Sequence, residues 1–410
     1  MQRISRLLVF IGCLLAASSA LAQSNSASGT NHPIAARIPE RMHQFVEDKT
    51  IAGVVTLVAH GNDIVEFDAQ GMADIEASHP MRKDTIFQIM SMTKPVTAIG
   101  IMMLAEEGKL ALRDPVEQYL PEFKNLRVDV NNGYDENRLS MPEHAITIRD
   151  LLTHTAGFTD DAPADIKDYK QLMNIPLDEV VRKLAKSPLR FQPGAQWSYS
   201  SAGIEVLGRI IEVCSGQKYQ DFITERILRP LKMQDSFFFP PPDKVSRIAM
   251  VYVHKDGALG RAPGSILGGD PTKYRQGSVF PAPGWGLYST AEDLLHLYRM
   301  MINNGVYEGH RYLSNFSVHL MTEPHTTGIH PVGWMHGADY GLAWEVVSQP
   351  LGELAGHTIG SYGHGGAFGT QGWIDPNNQL ISIMLIQQSD GGTESMTHIF
   401  LNMAEATIGQ

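Results

Sequence analysis

The sequence predicts an α/β fold into which an all-helical subdomain is inserted, and three observations carry that expectation. Strand patterns gather at the two ends of the chain, over residues 53–69 and 340–387. Helical patterns fill residues 110–270, where strand patterns are scarce. A composition of 43% hydrophobic and 19% charged residues over 410 positions is that of a globular chain long enough to bury a sizeable core. Strands supplied by both chain ends pair most directly in one sheet, leaving the middle of the chain to pack as a second unit.

From the N-terminus, Arg3 and Arg6 precede an apolar run from Leu7 to Ala17 that closes in Ala20-Leu21-Ala22. These are the charged, apolar and small-residue regions of a secretory signal peptide over residues 1–22. The apolar run is too short to span a bilayer, so export to the periplasm or the medium is expected, with residues 23–33 (QSNSASGTNHP) as a polar linker. A helix is expected over Ile34 to Asp48. Strands over Gly53–Ala59 and Asp63–Ala69 follow, joined by the hairpin chemistry of His60-Gly61-Asn62-Asp63. Val96, Ile99, Met102, Met103 and Leu104 recur at helical spacing from Thr93 to Glu107 and stop at Gly108.

Further helices are expected over Ile148–Leu152, Leu177–Ala185, Gly203–Val213 and Tyr219–Leu228, and FFFPPP at 237–242 reads as a packed loop. Ser289-Thr290-Ala291-Glu292 has the pattern of a capping box opening a helix from Ala291 to Asn303. Tyr340–Val347, Gly369–Ile374 and Leu380–Gln387 read as strands, and Ser395–Ala406 as a final helix. The expected organisation is an α/β domain from residues 34–109 and 280–410, with a helical subdomain over 110–279.

Lys+Arg at 33 against Asp+Glu at 44 gives a net charge of −11, which repels phosphate backbones and anionic headgroups and argues against a nucleic-acid partner. Beyond the signal peptide no stretch reaches 18 uninterrupted apolar residues, so no membrane span is expected in the mature chain. Cys214 is the only cysteine after residue 22, so no internal disulfide is expected.

Three places carry residues suited to chemistry. Ser91-Met92-Thr93-Lys94 sets a hydroxyl and an amine three residues apart at a helix start, on one face, where a desolvated amine can take the serine proton. Alone, the same pair also describes a capped helix start with an exposed lysine. Tyr199-Ser200-Ser201 offers a phenol that a nearby ammonium can hold partly ionised for proton transfer, or an ordinary tyrosine at a domain edge. In Gly363-His364-Gly365-Gly366-Ala367, ahead of a strand, the lack of side chains lets a substrate approach backbone N–H donors. His364 can there polarise a carbonyl or carboxylate, or be incidental to a glycine-rich bend.

Taken together and in this order, these elements resemble the penicillin-recognising serine hydrolases: class C β-lactamases, D-alanyl-D-alanine carboxypeptidases, D-aminopeptidases and family VIII carboxylesterases. The resemblance runs through DTIFQIMSMTKPVTA around Ser91, ITIRDLLTHTAGF at 146–158, FQPGAQWSYSSAGIEVLGRIIE at 191–212, GWGLYSTAEDLLHLYRMMINNG at 284–305 and GHGGAFGTQGWIDP at 363–376. It implies the β-lactamase/transpeptidase-like fold, an antiparallel sheet flanked by helices, with the site in the cleft beside the helical subdomain. It further implies Ser91 as the acylated nucleophile, Lys94 as its activating amine and Tyr199 as general base and acid. Ser91 and Ala367 would supply the oxyanion N–H groups, and His364-Gly365-Gly366 stands where β-lactamases have Lys-Thr-Gly.

Two departures from the family pattern bear on the substrate. Ser201 replaces an asparagine, and His364 replaces a lysine, which removes the fixed cation that clamps a carboxylate. The function implied is a cofactor-free exported serine hydrolase acting through an acyl-enzyme on a small ester or a peptide-like amide, with loops 126–144 and 255–283 shaping its specificity. The alternatives are a small-peptide or D-specific peptidase, a β-lactamase, and an inactive binding protein of the same fold. His154 is expected to be a structural hydrogen-bonding residue. No Gly-x-Ser-x-Gly elbow, His-Glu-x-x-His motif or other metal-ligand spacing is present, and His310, His319, His325 and His330 are scattered, so no metal is expected.

Overall fold

Ile38, Met42 and Phe45 fall on one face of helix α1 (Ile38–Glu47) and are buried there. The structure, a computed structural model, describes residues 33–129, 139–158, 169–263, 271, 275–329, 331–333 and 336–409. The expected signal peptide, most of the linker, His330 and parts of both specificity loops lie outside the described residues. After α1 come β1 (Gly53–His60) and β2 (Asp63–Asp74), a hairpin closed by Gly61 and Asn62, with Gly61 at φ 57°. Strands β3 (His79–Pro80) and β4 (Phe87–Gln88) then lead into α2 (Thr93–Glu106), whose residues Thr93–Leu104 are all buried.

The middle of the chain supplies α3 (Ile148–Leu152), α4 (Tyr169–Met173), α5 (Leu177–Leu184), α6 (Ser201–Ser215) and α7 (Tyr219–Ile223), the last continuing as a π-helical turn over Thr224–Leu228. Thr147 and Asp150 form a reciprocal capping box on α3, and Gly216, left-handed at φ 72°, ends α6. Helices α6 and α7 pack on α2. The region expected to be purely helical also carries a short hairpin, β5 (Tyr252–Lys255) with β6 (Ala258–Arg261). In the loop expected from FFFPPP, Phe238 is buried against Tyr219 and Phe237 stacks on Tyr288.

The chain continues with β7 (Tyr288–Ser289), α8 (Ala291–Ile302), β8 (Val306–Tyr307), β9 (His310–Arg311) and α9 (Asn315–Thr322). Then follow β10 (Ala338–Tyr340), β11 (Glu345–Val347), β12 (Tyr362–Gly366), β13 (Thr370–Asp375), β14 (Leu380–Leu385) and α10 (Glu394–Glu405). Among the described residues the two chain ends build one antiparallel eight-stranded sheet in the order β10-β11-β12-β13-β14-β1-β2-β3. Leu57 sits between Ile383 and Phe67 in register. Helices cover both faces, which is why β1 is buried without a break from Gly53 to Ala59. Val55, Leu57 and Ala59 enter the core with α2 and α8, while Val54 and Val58 enter a second core with α1 and α10. No described helix is long and apolar enough to cross a membrane.

Three local expectations are corrected. The cap of α8 is Thr290, whose hydroxyl accepts from the Asp293 N–H, because Ser289 is held in β7 against Phe87 and hydrogen-bonded to Ser236. The single strand expected over Tyr340–Val347 is two strands, folded back by a turn in which the Gly341 N–H donates to the Trp344 carbonyl and Ala343 is left-handed at φ 61°. The glycine-rich segment ahead of Thr370 is itself a strand, β12, paired to both β11 and β13.

Candidate active site

The segment before α2 sets the geometry. Met90 is left-handed at φ 50°, and a single 3-10 turn, Met90–Met92, carries Ser91 directly into the helix. The Thr93 hydroxyl fixes that turn by donating to the Met90 carbonyl at 2.6 Å. One turn on, the wholly buried Lys94 brings its Nζ to 3.2 Å from Ser91 Oγ, 3.2 Å from Ser201 Oγ and 2.9 Å from the Gly284 carbonyl oxygen. The i, i+3 relation read from sequence is thus realised.

Ser201 reaches Lys94 because it opens α6. Its neighbour Ser200 is the N-cap, accepting from the Gly203 N–H at 3.2 Å. The extended approach to that cap carries Tyr199, whose ring centroid lies 4.5 Å from Lys94 Nζ. The Tyr199 ring rests on His154 at 4.7 Å and has Trp197 and His364 as further ring neighbours, each 6.2 Å away.

The Gly284 carbonyl was not singled out from sequence. Its loop is tied to the two helices it touches. The Thr97 hydroxyl of α2 donates to the Pro283 carbonyl at 2.7 Å, and Glu205 of α6 accepts from the Gly284 N–H. The buried Arg275 guanidinium donates to the carbonyls of Phe280 and Gly286 at 2.7 and 2.9 Å, holding both sides of the loop. Gly208 of α6 is the complementary feature: a Cβ there would lie 2.3 Å from Pro283 Cγ. The paired glycines of Gly284-Trp285-Gly286 are the sequence signal that marks this close approach.

Strand β12 closes the opposite side. Gly366 passes so near the Ser91 turn that a Cβ would lie 2.4 Å from the Ile89 carbonyl oxygen and 2.2 Å from Thr370 Oγ1. Ala367, exposed, follows in the tight connection to β13, closed by the Gly369 N–H donating to the Gly366 carbonyl. Ser91, Lys94, Tyr199, Ser201, Gly366 and Ala367 therefore belong to elements that border one another.

His364 has a different place from the one expected. Its ring is 1% exposed, with Nδ1 2.6 Å from the Gly365 carbonyl and Nε2 3.0 Å from the Tyr340 hydroxyl, so both nitrogens are engaged inside the protein. Burial, aided by the Lys94 charge, pushes its pKa down to about 3. It is a neutral wall residue and not an imidazolium presented to a substrate carboxylate. His154, as expected, is a buried hydrogen-bonding residue: Nδ1 accepts from the Ser200 N–H at 3.2 Å, and Nε2 lies 3.1 Å from the same Tyr340 hydroxyl.

Comparison with known proteins agrees with this architecture. The family model described as Beta-lactamase matches residues 38–405. Protein Rv1367c of Mycobacterium tuberculosis (strain ATCC 25618 / H37Rv) is 35% identical over 353 residues, covering 82% of this chain and 86% of its own. Esterase EstB of Burkholderia gladioli is 33% identical over 282 residues, covering 64% of this chain and 68% of its own. The solved structure of EstCE1, described as a hydrolase with promiscuous acyltransferase activity, shares the fold with a TM-score of 0.74 at 24% identity, over 92% of this chain and 99% of that one. A serine-bearing turn, a buried lysine and a tyrosine-bearing helix start assembled on such a sheet, with a family match spanning nearly the whole described chain, lead to one assignment: the protein belongs to the β-lactamase family of serine hydrolases.

Proposed function

We propose that the protein is an exported hydrolase of small carboxylic esters working through an acyl-enzyme on Ser91. The observation that carries this is the placement of Lys94, fully buried, with Nζ within 3.2 Å of Ser91 Oγ and also bonded to Ser201 Oγ and the Gly284 carbonyl. A neutral amine has two N–H donors and one lone pair. Once deprotonated, Lys94 can keep one N–H on the Gly284 carbonyl, which only accepts, and turn its lone pair to the Ser91 hydroxyl 3.2 Å away. In this reading Ser91 Oγ attacks the ester carbonyl as its proton passes to Lys94. The N–H groups of Ser91 and Ala367 receive the oxyanion at the end of β12. Tyr199, beside Lys94, passes the proton to the departing alkoxide, and water then releases the acid by the reverse relay.

An ester is favoured over a carboxylate-bearing peptide or β-lactam because the position that would hold a clamping cation carries the buried neutral His364. The similarity to an esterase supports the same choice. A fluorophosphonate should label Ser91 of the wild type, and Ser91→Ala should lose the label and on the order of 10⁴-fold in hydrolysis of p-nitrophenyl butyrate while remaining folded. A mass adduct retained on the Ala variant would overturn the assignment. Parallel assays with D-amino acid anilides, linear peptides and nitrocefin should all give lower kcat/KM than the ester.

A further inference from the structure

We propose that Tyr340 is a positioning residue that ties the Tyr199 segment to strand β12 and so holds the Tyr199 phenol where it can serve the leaving group. The proposal rests on the reading of Tyr199 as the proton carrier and deepens it. No motif pointed to Tyr340 from sequence: it lies 186 residues from His154 and 24 from His364, yet its hydroxyl sits between the two imidazoles, 3.1 Å from one Nε2 and 3.0 Å from the other.

The hydrogens in this chain can be placed one after another. Ser200 donates its backbone N–H to His154 Nδ1, so that nitrogen is bare, and the neutral ring carries its hydrogen on Nε2. At the far end the Gly365 carbonyl can only accept, so His364 carries its hydrogen on Nδ1, leaving Nε2 bare. The Tyr340 hydroxyl then accepts from His154 and donates to His364. The run from the Ser200 amide to the Gly365 carbonyl has one consistent direction, with every ring nitrogen satisfied and no net charge. All three side chains are buried, where an unmatched donor or acceptor is costly.

Its two ends are the two sides of the site. Ser200 follows Tyr199 directly, and the His154 ring, turned by this chain, is the surface on which the Tyr199 ring rests. Gly365 lies in β12 next to Gly366. Tyr340 is itself held at the end of β10, its N–H donating to Thr326 Oγ1 at 2.9 Å and its carbonyl accepting from the His325 N–H at 2.8 Å. Without the hydroxyl, His154 and His364 each keep a ring nitrogen with nothing to meet, and the orientation of both rings is released.

Leaving-group dependence tests this, because a p-nitrophenolate departs without a proton and an ethoxide does not. In Tyr199→Phe the loss of kcat/KM, which reports acylation alone, should be about 100-fold greater for ethyl butyrate than for p-nitrophenyl butyrate, within the usual range for a general acid. In Tyr340→Phe the same selective loss should appear at about tenfold, with KM for both esters within about twofold of wild type. Equal losses on both esters in Tyr340→Phe, alongside a selective loss in Tyr199→Phe, would overturn the role of Tyr340. No selectivity in Tyr199→Phe would instead overturn the underlying reading. Should Tyr340→Phe fail to fold, His154→Gln, which can accept from Ser200 and donate to Tyr340, should keep the wild-type ratio of the two esters. His154→Leu should show the selective loss, and equal ratios in these two variants would again overturn the proposal.

Discussion

The buried position of His364 makes a quantitative claim about discrimination between substrates with and without a carboxylate. The perturbation is a change of pH from 8 to 5.5, and the assay is the ratio of acylation rate constants for nitrocefin and p-nitrophenyl butyrate, in which ionisations common to both substrates cancel. An exposed imidazole with the ordinary pKa near 6.5 would go from about 3% to about 90% protonated over this range, a roughly 30-fold rise in the cation available to a carboxylate. With its pKa pushed down to about 3, His364 is only about 0.3% protonated even at pH 5.5. The ratio should therefore stay within about twofold. His364→Lys should not raise the ratio either. A lysine there loses the hydrogen bonds to Gly365 and Tyr340 and buries an ammonium, so it should depress both reactions together. A ratio that rises fivefold or more with a midpoint near pH 6.5 would refute the reasoning and place the ring in contact with substrate.

Other expectations follow from the same geometry. Gly208→Ala ought to gain about 1 kcal/mol of helix propensity, but its Cβ would meet Pro283 at 2.3 Å and displace the Gly284 carbonyl from Lys94. We expect kcat for p-nitrophenyl butyrate to fall about 10- to 100-fold with the fold intact by circular dichroism, and unchanged turnover would show that the loop does not position the amine. Lys94→Ala combined with Tyr199→Phe should be little slower than the worse single variant if the two act as the one relay proposed; fully multiplicative losses in kcat would separate their roles. Glu66, buried in the sheet beside Thr56, has its pKa raised to about 8 by burial, so the folded state keeps a proton that the unfolded chain loses above about pH 4.5. That penalty grows as pH rises to 8, so Glu66→Gln should stabilise by on the order of 4 kcal/mol at pH 8 and by little at pH 4.5, read as thermal midpoints. A gain independent of pH would sink this account.

Much of the molecule is written in short-range pattern. The β1–β2 hairpin follows from two strand-like runs around Gly61-Asn62, α2 from the spacing of Val96 to Leu104, and the Ser91–Lys94 pair from the pitch of a helix that brings i and i+3 together. These features depend on residues within a turn or two of one another, so the sequence by itself determined them. The family resemblance added that Tyr199 and β12 face the same place, which their sequence separation alone does not say.

What tertiary structure decided concerns partners contributed by distant segments. Whether Ser289 or Thr290 caps α8 depends on Phe87 and Ser236, which claim Ser289 for β7. The alternation over Tyr340–Val347 fits one strand, and only the packing of Gly341 against the Met321 carbonyl, where a Cβ would lie 2.3 Å away, makes the fold-back visible. Lys94 meets Gly284 across 190 residues, and Tyr340 joins two histidines that neither sequence spacing nor motif connects. His364 gives the clearest instance. Its residue type states what protonation is possible, but its charge is set by how completely other strands and helices remove it from water and occupy its two nitrogens. Desolvation and donor–acceptor matching are properties of the assembled interior, and no local window of sequence contains them.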